Sequence, residues 1–153
     1  MRKKKGWSGQ SKRHSNAKKY GRAGGRYARK ISPPLESESI KLPIQLSITV
    51  PTTKDKDKKI SPLETKRRVE NTAKEFSDKF GGDTAVRGKG DYTTEGVLIR
   101  EDVIIVESSM TKEQYLENKS SIEQFIKESR SKWEQDRIAF KFEGDLFLWP
   151  EKV

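Results

Sequence analysis

Residues 40–50 read IKLPIQLSITV, and apolar side chains occupy every second position from Ile40 to Val50. This two-residue period is that of a β-strand with one face in a hydrophobic core. Pro43 has no backbone N–H, so we expect regular strand pairing to start near it. The stretch therefore predicts the first strand of a folded domain that begins near Ile40.

Two helix starts follow this strand. Residues 61–64 (SPLE) place Ser at the N-cap, Pro at the first helical position and Glu where it can return the capping bond. This helix is predicted to run to about Phe80, where two glycines follow. Residues 111–114 (TKEQ) form a second capping box and predict a helix that reaches roughly Trp133.

The remaining apolar stretches are predicted as two pairs of strands. In the first pair, a broken strand at 84–86 and 88–93 is followed by a strand at 97–99 and 103–106. The second pair consists of strands at 138–142 and 146–149. Gly88 and Gly90 favour a bulge in the first pair. Residues 100–102, which are all charged, favour a kink or break in its second strand.

The resulting order is strand, helix, strand pair, helix, strand pair. The simplest fold with this order is α+β: a ferredoxin-like β-α-β-β-α-β sandwich with an antiparallel sheet and both helices on one face. We assign 40–150 to this domain, 32–39 to a linker that contains two prolines, and 1–31 to a disordered basic N-terminal arm.

Several of these segments together resemble a group of small uncharacterised microbial domains with ferredoxin-like topology. The resemblance rests on residues 80–85 (FGGDTA), 88–90 (GKG), 103–107 and the last helix leading to 140–144. It covers about residues 42–148 and leaves the arm out. It implies the fold but no known activity, and it transfers no functional residue.

The positive charge of the chain lies in its arm. The sequence of 153 residues has a formal net charge of +10, with 33 Lys and Arg against 23 Asp and Glu. Twelve of the basic residues and none of the acids fall in residues 1–31, which leaves 21 basic residues for the rest of the chain. Such a segment, interleaved with aromatic residues and glycines, is typical of polyanion binding.

We therefore predict a non-catalytic nucleic-acid-binding protein that uses the arm on phosphates and bases. RNA and DNA both remain open, and the Gly, Arg and Tyr mixture favours single strands or RNA. The predicted contact residues are Arg2, Lys3, Lys4, Lys5, Trp7, Lys12, Arg13, His14, Lys18, Lys19, Tyr20, Arg22, Arg26, Tyr27, Arg29 and Lys30.

Two other classes of function stay open. One is an enzyme with its site in the α+β domain, for example a metal-dependent nuclease that uses Asp83, Asp91, Glu101 and Asp102. The other is an interaction module that docks on an acidic partner, with a homodimer formed through the exposed sheet. No catalytic residue, metal ligand or cofactor is predicted, since the only His is His14 and there is no Cys.

The sequence also bears on the cellular compartment of the protein. No apolar run approaches the ~18 residues of a membrane span, and no apolar segment of a secretory signal follows the basic start. The arm lacks the apolar face of a membrane-surface helix, so no membrane partner is expected. These features predict a cytoplasmic, soluble protein.

Overall fold

The computed structural model describes residues 31–153. Residues 31–40 are exposed and contain one turn of 3₁₀ helix at Glu36–Glu38. Residues 41–153 contain β1 Ile44–Pro51, β2 Thr53–Lys54, β3 Lys58–Lys59, α1 Pro62–Phe80, β4 Thr84–Thr94, β5 Val97–Met110, α2 Lys112–Lys132, β6 Ile138–Phe142 and β7 Asp145–Trp149.

The core of residues 41–153 lies between one sheet and two helices. Five antiparallel strands run in the order β4-β5-β1-β6-β7, and β2 and β3 form a separate pair. The alternation in β1 buries Leu46, Ile48 and Val50 against apolar side chains of both helices, among them Phe76 and Ile126. The predicted α+β class, with an antiparallel sheet and two helices, is confirmed.

Both predicted helix starts are confirmed, but Glu64 does not return the capping bond at the first one, because its carboxylate pairs with Arg67 and Arg68. The Ser61 hydroxyl accepts a hydrogen bond from the Glu64 backbone N–H at 3.1 Å. At the start of α2, the Thr111 hydroxyl accepts from the Gln114 N–H at 3.1 Å, and the Gln114 side chain accepts from the Thr111 N–H at 2.9 Å. Gly81 ends α1 with a φ of 87°, a conformation that favours glycine.

Several strand boundaries differ from the sequence-based prediction. β1 begins at Ile44, and Ile40 is 86% exposed, because no strand within residues 31–153 pairs with the residues before Pro43. β4 and β5 are continuous, so the predicted bulge and the predicted break at 100–102 are both wrong. The two strands pair residue for residue, with Gly88 opposite Val103, so no extra residue forms a bulge. The charged residues 100–102 remain in the strand because they lie on a largely solvated segment.

The β4–β5 hairpin extends well beyond the rest of the sheet. The last β1 residue to pair with β5 is Pro51, which lies opposite Val103. Residues 89–102 therefore form a two-stranded ribbon, closed by a turn at Glu95 and Gly96. A bare two-stranded ribbon is marginally stable in water, so its contacts with other segments matter. Over residues 31–153, no helix is long and apolar enough to cross a membrane.

Candidate functional site

Polar side chains meet where the ribbon leaves the sheet. The Glu101 carboxylate accepts a hydrogen bond from the Thr53 hydroxyl at 2.6 Å, and the Tyr92 hydroxyl donates to the Lys56 backbone carbonyl at 2.8 Å. Glu101 pairs opposite Gly90, two residues from Tyr92, so both side chains share one face of the ribbon. We call Thr53, Tyr92 and Glu101 the ribbon-base cluster.

Glycine at position 90 leaves this face of the ribbon open. A Cβ added at Gly90 would lie 3.7 Å from Val103 Cγ1, which is ordinary van der Waals contact. The position directly across from Glu101 therefore carries no side chain, and the Glu101 carboxylate is only partly buried.

The environment of Tyr92 keeps its phenol protonated. Burial raises the pKa of Tyr92 above its ordinary value, and the negative charge of Glu101 raises it further. A neutral phenol donates its hydrogen bond to Lys56 while its ring stays next to a carboxylate. A carboxylate beside an aromatic ring is a combination that attracts cations.

The buried Arg68 side chain binds the backbone next to the cluster. The side chain is 2% exposed, and its guanidinium donates to the backbone carbonyls of Pro51 and Thr53, each at 2.9 Å, and of Trp133 at 3.2 Å. Burial lowers the pKa of Arg68, and the adjacent Glu64 carboxylate opposes that shift. With three carbonyls bound, Arg68 positions the backbone at Thr53 rather than contacting a ligand.

An open cleft of about 410 Å³ lies near the cluster, although none of Thr53, Tyr92 and Glu101 lines it; for brevity we call it the cavity. It is connected to the cluster through Lys56 and through Gln135, whose side-chain amide donates to the Thr53 carbonyl at 2.7 Å. This volume lies within the range of small-molecule sites, although the lining is polar and charged instead of mostly apolar. The cavity is lined by Asp55, Lys56, Arg130, Ser131, Glu134, Gln135 and Asp136.

The residues predicted for nucleic-acid contact, from Arg2 to Lys30 and including His14, all lie outside the described residues. Of the four acids considered for a metal, only Glu101 belongs to the ribbon-base cluster. Asp83 accepts a hydrogen bond from Ser77, and Asp91 pairs with Arg100. Within residues 31–153, no three His, Asp or Glu side chains gather closely enough to hold a metal ion.

Sequence reasoning missed Thr53, Arg68 and Tyr92. Thr53 follows a β-strand in a polar stretch, and Tyr92 lies in a strand with few apolar residues, so neither has a local signal of function. Arg68 had one available signal: it lies four residues before Thr72 and eight before Phe76, on the buried face of α1.

No family model matches the chain, and no curated protein matches its sequence. Its structure is similar to that of a phage SAM lyase in complex with S-methyl-5′-thioadenosine, with a TM-score of 0.53 and 17% identity over 74% of this chain and 98% of that chain. A phage SAM lyase in the apo state aligns with a TM-score of 0.47 and 17% identity, covering 69% of this chain and 86% of that chain.

The first of these similarities corrects two expectations. The resemblance to small uncharacterised microbial ferredoxin-like domains is wrong, because the described domain shares its fold with a phage enzyme of named activity. The prediction of a non-catalytic protein that binds RNA or DNA is also wrong, because the match is to a lyase bound to a small molecule. What the similarity shows of this chain is its fold.

Proposed function

We propose that this chain is an enzyme that cleaves S-adenosylmethionine, or a close adenosyl sulfonium, as a lyase whose site is the ribbon-base cluster with its adjoining cavity. The observation that carries the proposal is the Thr53–Glu101 hydrogen bond near a cavity of small-molecule size, on a fold shared with a phage SAM lyase. The cluster and the cavity supply the two things that such a substrate needs: a place for a cation and a place for a nucleoside.

The sulfonium cation fits the ribbon-base cluster. The Glu101 carboxylate offers an opposite charge, and the hydrogen bond from Thr53 orients it. The Tyr92 ring offers a π face to a desolvated cation. A tyrosine phenol is neutral at neutral pH, and the raised pKa of Tyr92 favours that form further, so it adds no competing charge.

The nucleoside part fits the cavity. Ribose hydroxyls are donors and acceptors, and the carboxylates of Asp55, Glu134 and Asp136 line the cavity as acceptors. The cavity also contains Arg130 and Lys56, whose cations suit the carboxylate at the far end of the substrate.

The reaction needs little from the protein. The bond between the sulfonium sulfur and the Cγ of the substrate's amino-acid part breaks, and its electron pair goes to sulfur. The substrate's own carboxylate oxygen forms a new bond to that carbon, which gives a lactone and neutral S-methyl-5′-thioadenosine. No proton, water or electron enters or leaves. The absence of Cys and the position of the single His in the arm are compatible with such chemistry.

The roles of the residues follow from this charge balance. The substrate's own carboxylate and its sulfonium neutralise each other in the transition state. A site that holds the folded substrate and removes water therefore accelerates the step. Glu101 attracts the sulfonium most strongly before the bond breaks, so its contribution is to substrate binding rather than to the chemical step. Glu101 is thus a binding residue in this proposal.

The same proposal includes the finer topology. β1 and β4 are joined through α1 with β5 between them, and β5 and β6 are joined through α2 with β1 between them. Two such split units make the ferredoxin-like β-α-β-β-α-β arrangement, to which β7 adds an edge strand. The limits assigned to the arm, the linker and the domain stay predictions.

The direct test is to incubate the purified full chain with S-adenosylmethionine and to follow the products by liquid chromatography and mass spectrometry. We expect S-methyl-5′-thioadenosine and homoserine lactone in equal amounts. Glu101→Gln should reduce the yield at low substrate concentration. Glu107→Gln, at an exposed acid on the same strand, is the matched control and should not. Absence of both turnover and calorimetric binding would refute the proposal.

A further inference from the structure

The outer strand β7 has an unusual surface. Within residues 31–153 its only partner is β6, so its other edge has no neighbouring strand there. Leu146, Phe147 and Leu148 are 58%, 45% and 53% exposed. Natural edge strands are commonly protected by charges or prolines in their middle, and β7 has none. Its free edge is therefore suited to pairing with another strand.

The hairpin geometry identifies the backbone groups on that edge. A two-residue turn joins β6 to β7, and the pair that flanks such a turn is hydrogen-bonded. By alternation, Asp145, Phe147 and Trp149 direct their backbone N–H and C=O groups towards β6. The corresponding groups of Leu146 and Leu148 point to the free edge.

We propose that β7 pairs with β7 of a second copy of this chain, antiparallel about a two-fold axis at Phe147. Phe147 then lies opposite Phe147 of the second copy, and Leu146 lies opposite Leu148. Since Leu146 and Leu148 carry the outward backbone groups, the pairing forms about four hydrogen bonds and joins the two sheets into one. A two-fold axis makes the contact closed, so the assembly stops at a dimer.

The charges agree with this register. Asp145, the one charged residue of β7, lies opposite Trp149 of the second copy and not opposite another carboxylate. The Arg130 guanidinium lies 5.9 Å from the centre of the Trp149 ring. The pairing thus brings the Asp145 carboxylate towards an arginine of the other copy, and the symmetry repeats this attraction.

The apolar side chains agree as well. The Phe147 ring stacks on Phe140 at a centroid distance of 5.3 Å, which fixes it on the helix side of the sheet. Two stacked Phe140–Phe147 pairs would meet at the axis on that side, while Leu146 and Leu148 of both copies form one stripe on the other side.

The open face of the sheet is a poorer site for a second copy. The part of that face contributed by β1, its central strand, carries the polar side chains of Gln45, Ser47 and Thr49. The β7 edge instead offers three adjacent exposed apolar side chains. A five-residue strand contact is smaller than the ~800 Å² per partner of a standard interface, so we expect a dissociation constant in the micromolar range.

The first test measures the mass of the full chain by sedimentation over roughly 1 μM to 1 mM, a range that spans this affinity. We expect a reversible change from monomer to dimer. The double variant Leu146→Lys, Leu148→Lys should stay monomeric, because four lysines would meet at the axis. Leu116→Lys, at an equally exposed leucine on α2, is the matched control and should dimerise normally. A chain that is monomeric throughout the range would overturn the proposal.

The second test checks the register and does not depend on the lysine variants. The chain has no Cys, so Phe147→Cys introduces a single thiol at the two-fold axis. The Cα atoms of two such residues would be about 4.5 Å apart, within disulfide range. Under mild oxidation we expect a covalent dimer from Phe147→Cys and much less from Leu146→Cys, whose two copies are offset along the strands.

Two further outcomes would also overturn the proposal. Equal cross-linking of both cysteine variants would show random collision instead of a fixed register. Amide exchange that is slow at Leu146 and Leu148 in a chain of monomeric mass would show that another part of the same chain covers the edge. Both measurements are independent of catalytic activity, so they do not depend on the proposed lyase function.

Discussion

The guanidinium of Arg68 donates to the backbone carbonyl of Trp133 at 3.2 Å and lies 5.8 Å from the centre of that residue's ring. One buried cation therefore joins α1 to the residue that ends α2. The same guanidinium holds the carbonyls of Pro51 and Thr53. The backbone at Thr53, in the ribbon-base cluster, is thus held by an arginine that also binds Trp133, 65 residues further along the chain.

Replacing Arg68 with Met should be strongly destabilising. Met retains much of the apolar volume but leaves three backbone carbonyls without their donor, and removal of one partner from a buried charged network costs about 3 kcal/mol or more. Urea unfolding measures the change. Arg67→Met, at an exposed residue that also contacts Glu64, should cost less than about 0.5 kcal/mol. Similar losses for the two variants would contradict the structural role of Arg68.

The position of Arg68 shows why the buried face of α1 is hard to predict. Leu63 is apolar, yet it is 67% exposed. The buried face consists of Arg68, Thr72, Phe76 and Phe80, which recur every four residues. Half of that face is polar, so a search for apolar periodicity locates Phe76 and Phe80 but not Arg68 and Thr72. Its burial depends on carbonyls supplied by distant segments.

The features that could be predicted from sequence are local. The caps at Ser61 and Thr111 need only residues within one helical turn, and both are present as expected. The ribbon-base cluster is different, because Thr53 meets Glu101 across 48 residues of sequence. Glu101 was recognised as a candidate, but as a metal ligand, since nothing local indicates that its hydrogen-bond partner is the Thr53 hydroxyl.

The glycines of β4 give a second prediction. Gly88 has no positive φ, and a Cβ there would lie 3.7 Å from Val103 Cγ2, so Gly88→Ala should be neutral or slightly stabilising. Gly81 caps α1 with a φ of 87°, so Gly81→Ala should cost about 1 kcal/mol although its Cβ would meet no atom within 4 Å. Thermal unfolding compares the two. A larger loss at Gly88 would favour the bulge that the sequence suggested.

Alkaline pH should weaken the fold through Tyr92. Its pKa is raised by burial and then by Glu101, so above a pH of about 10 the folded state retains a proton that the unfolded state has lost. This contribution is complete below the unfolded pKa and disappears as the pH rises through the folded pKa. The free energy of unfolding should therefore fall less steeply between about pH 9 and 11 in Tyr92→Phe than in the wild type.

Lysines also lose protons in this range, but they do so in both proteins, so the difference between the two curves reports on Tyr92. The loss of the phenol's hydrogen bond to Lys56 lowers the whole curve of the variant without changing its slope. Parallel curves for the two proteins would contradict a raised pKa at this position.

The charge of the ligand provides the sharpest test of the role proposed for Glu101. S-Adenosylmethionine carries a sulfonium, whereas S-methyl-5′-thioadenosine has a neutral thioether and lacks the amino-acid part. If the Glu101 carboxylate faces the sulfonium, Glu101→Gln should weaken binding of the first about ten-fold or more, which corresponds to about 1.4 kcal/mol. Binding of the neutral thioether should change little, because glutamine keeps the size of the side chain and can still accept a hydrogen bond from Thr53.

Isothermal titration of both ligands into the wild type, Glu101→Gln and Glu107→Gln gives the comparison. S-Adenosylhomocysteine, which keeps the amino-acid part but has a neutral sulfur, separates the effect of charge from that of ligand length. We expect it to respond to Glu101→Gln as the thioether does. Equal weakening of all three ligands would mean that Glu101 acts by holding Thr53 and the ribbon in place. In that case the sulfonium would have to bind elsewhere, and Glu101 would be a structural residue.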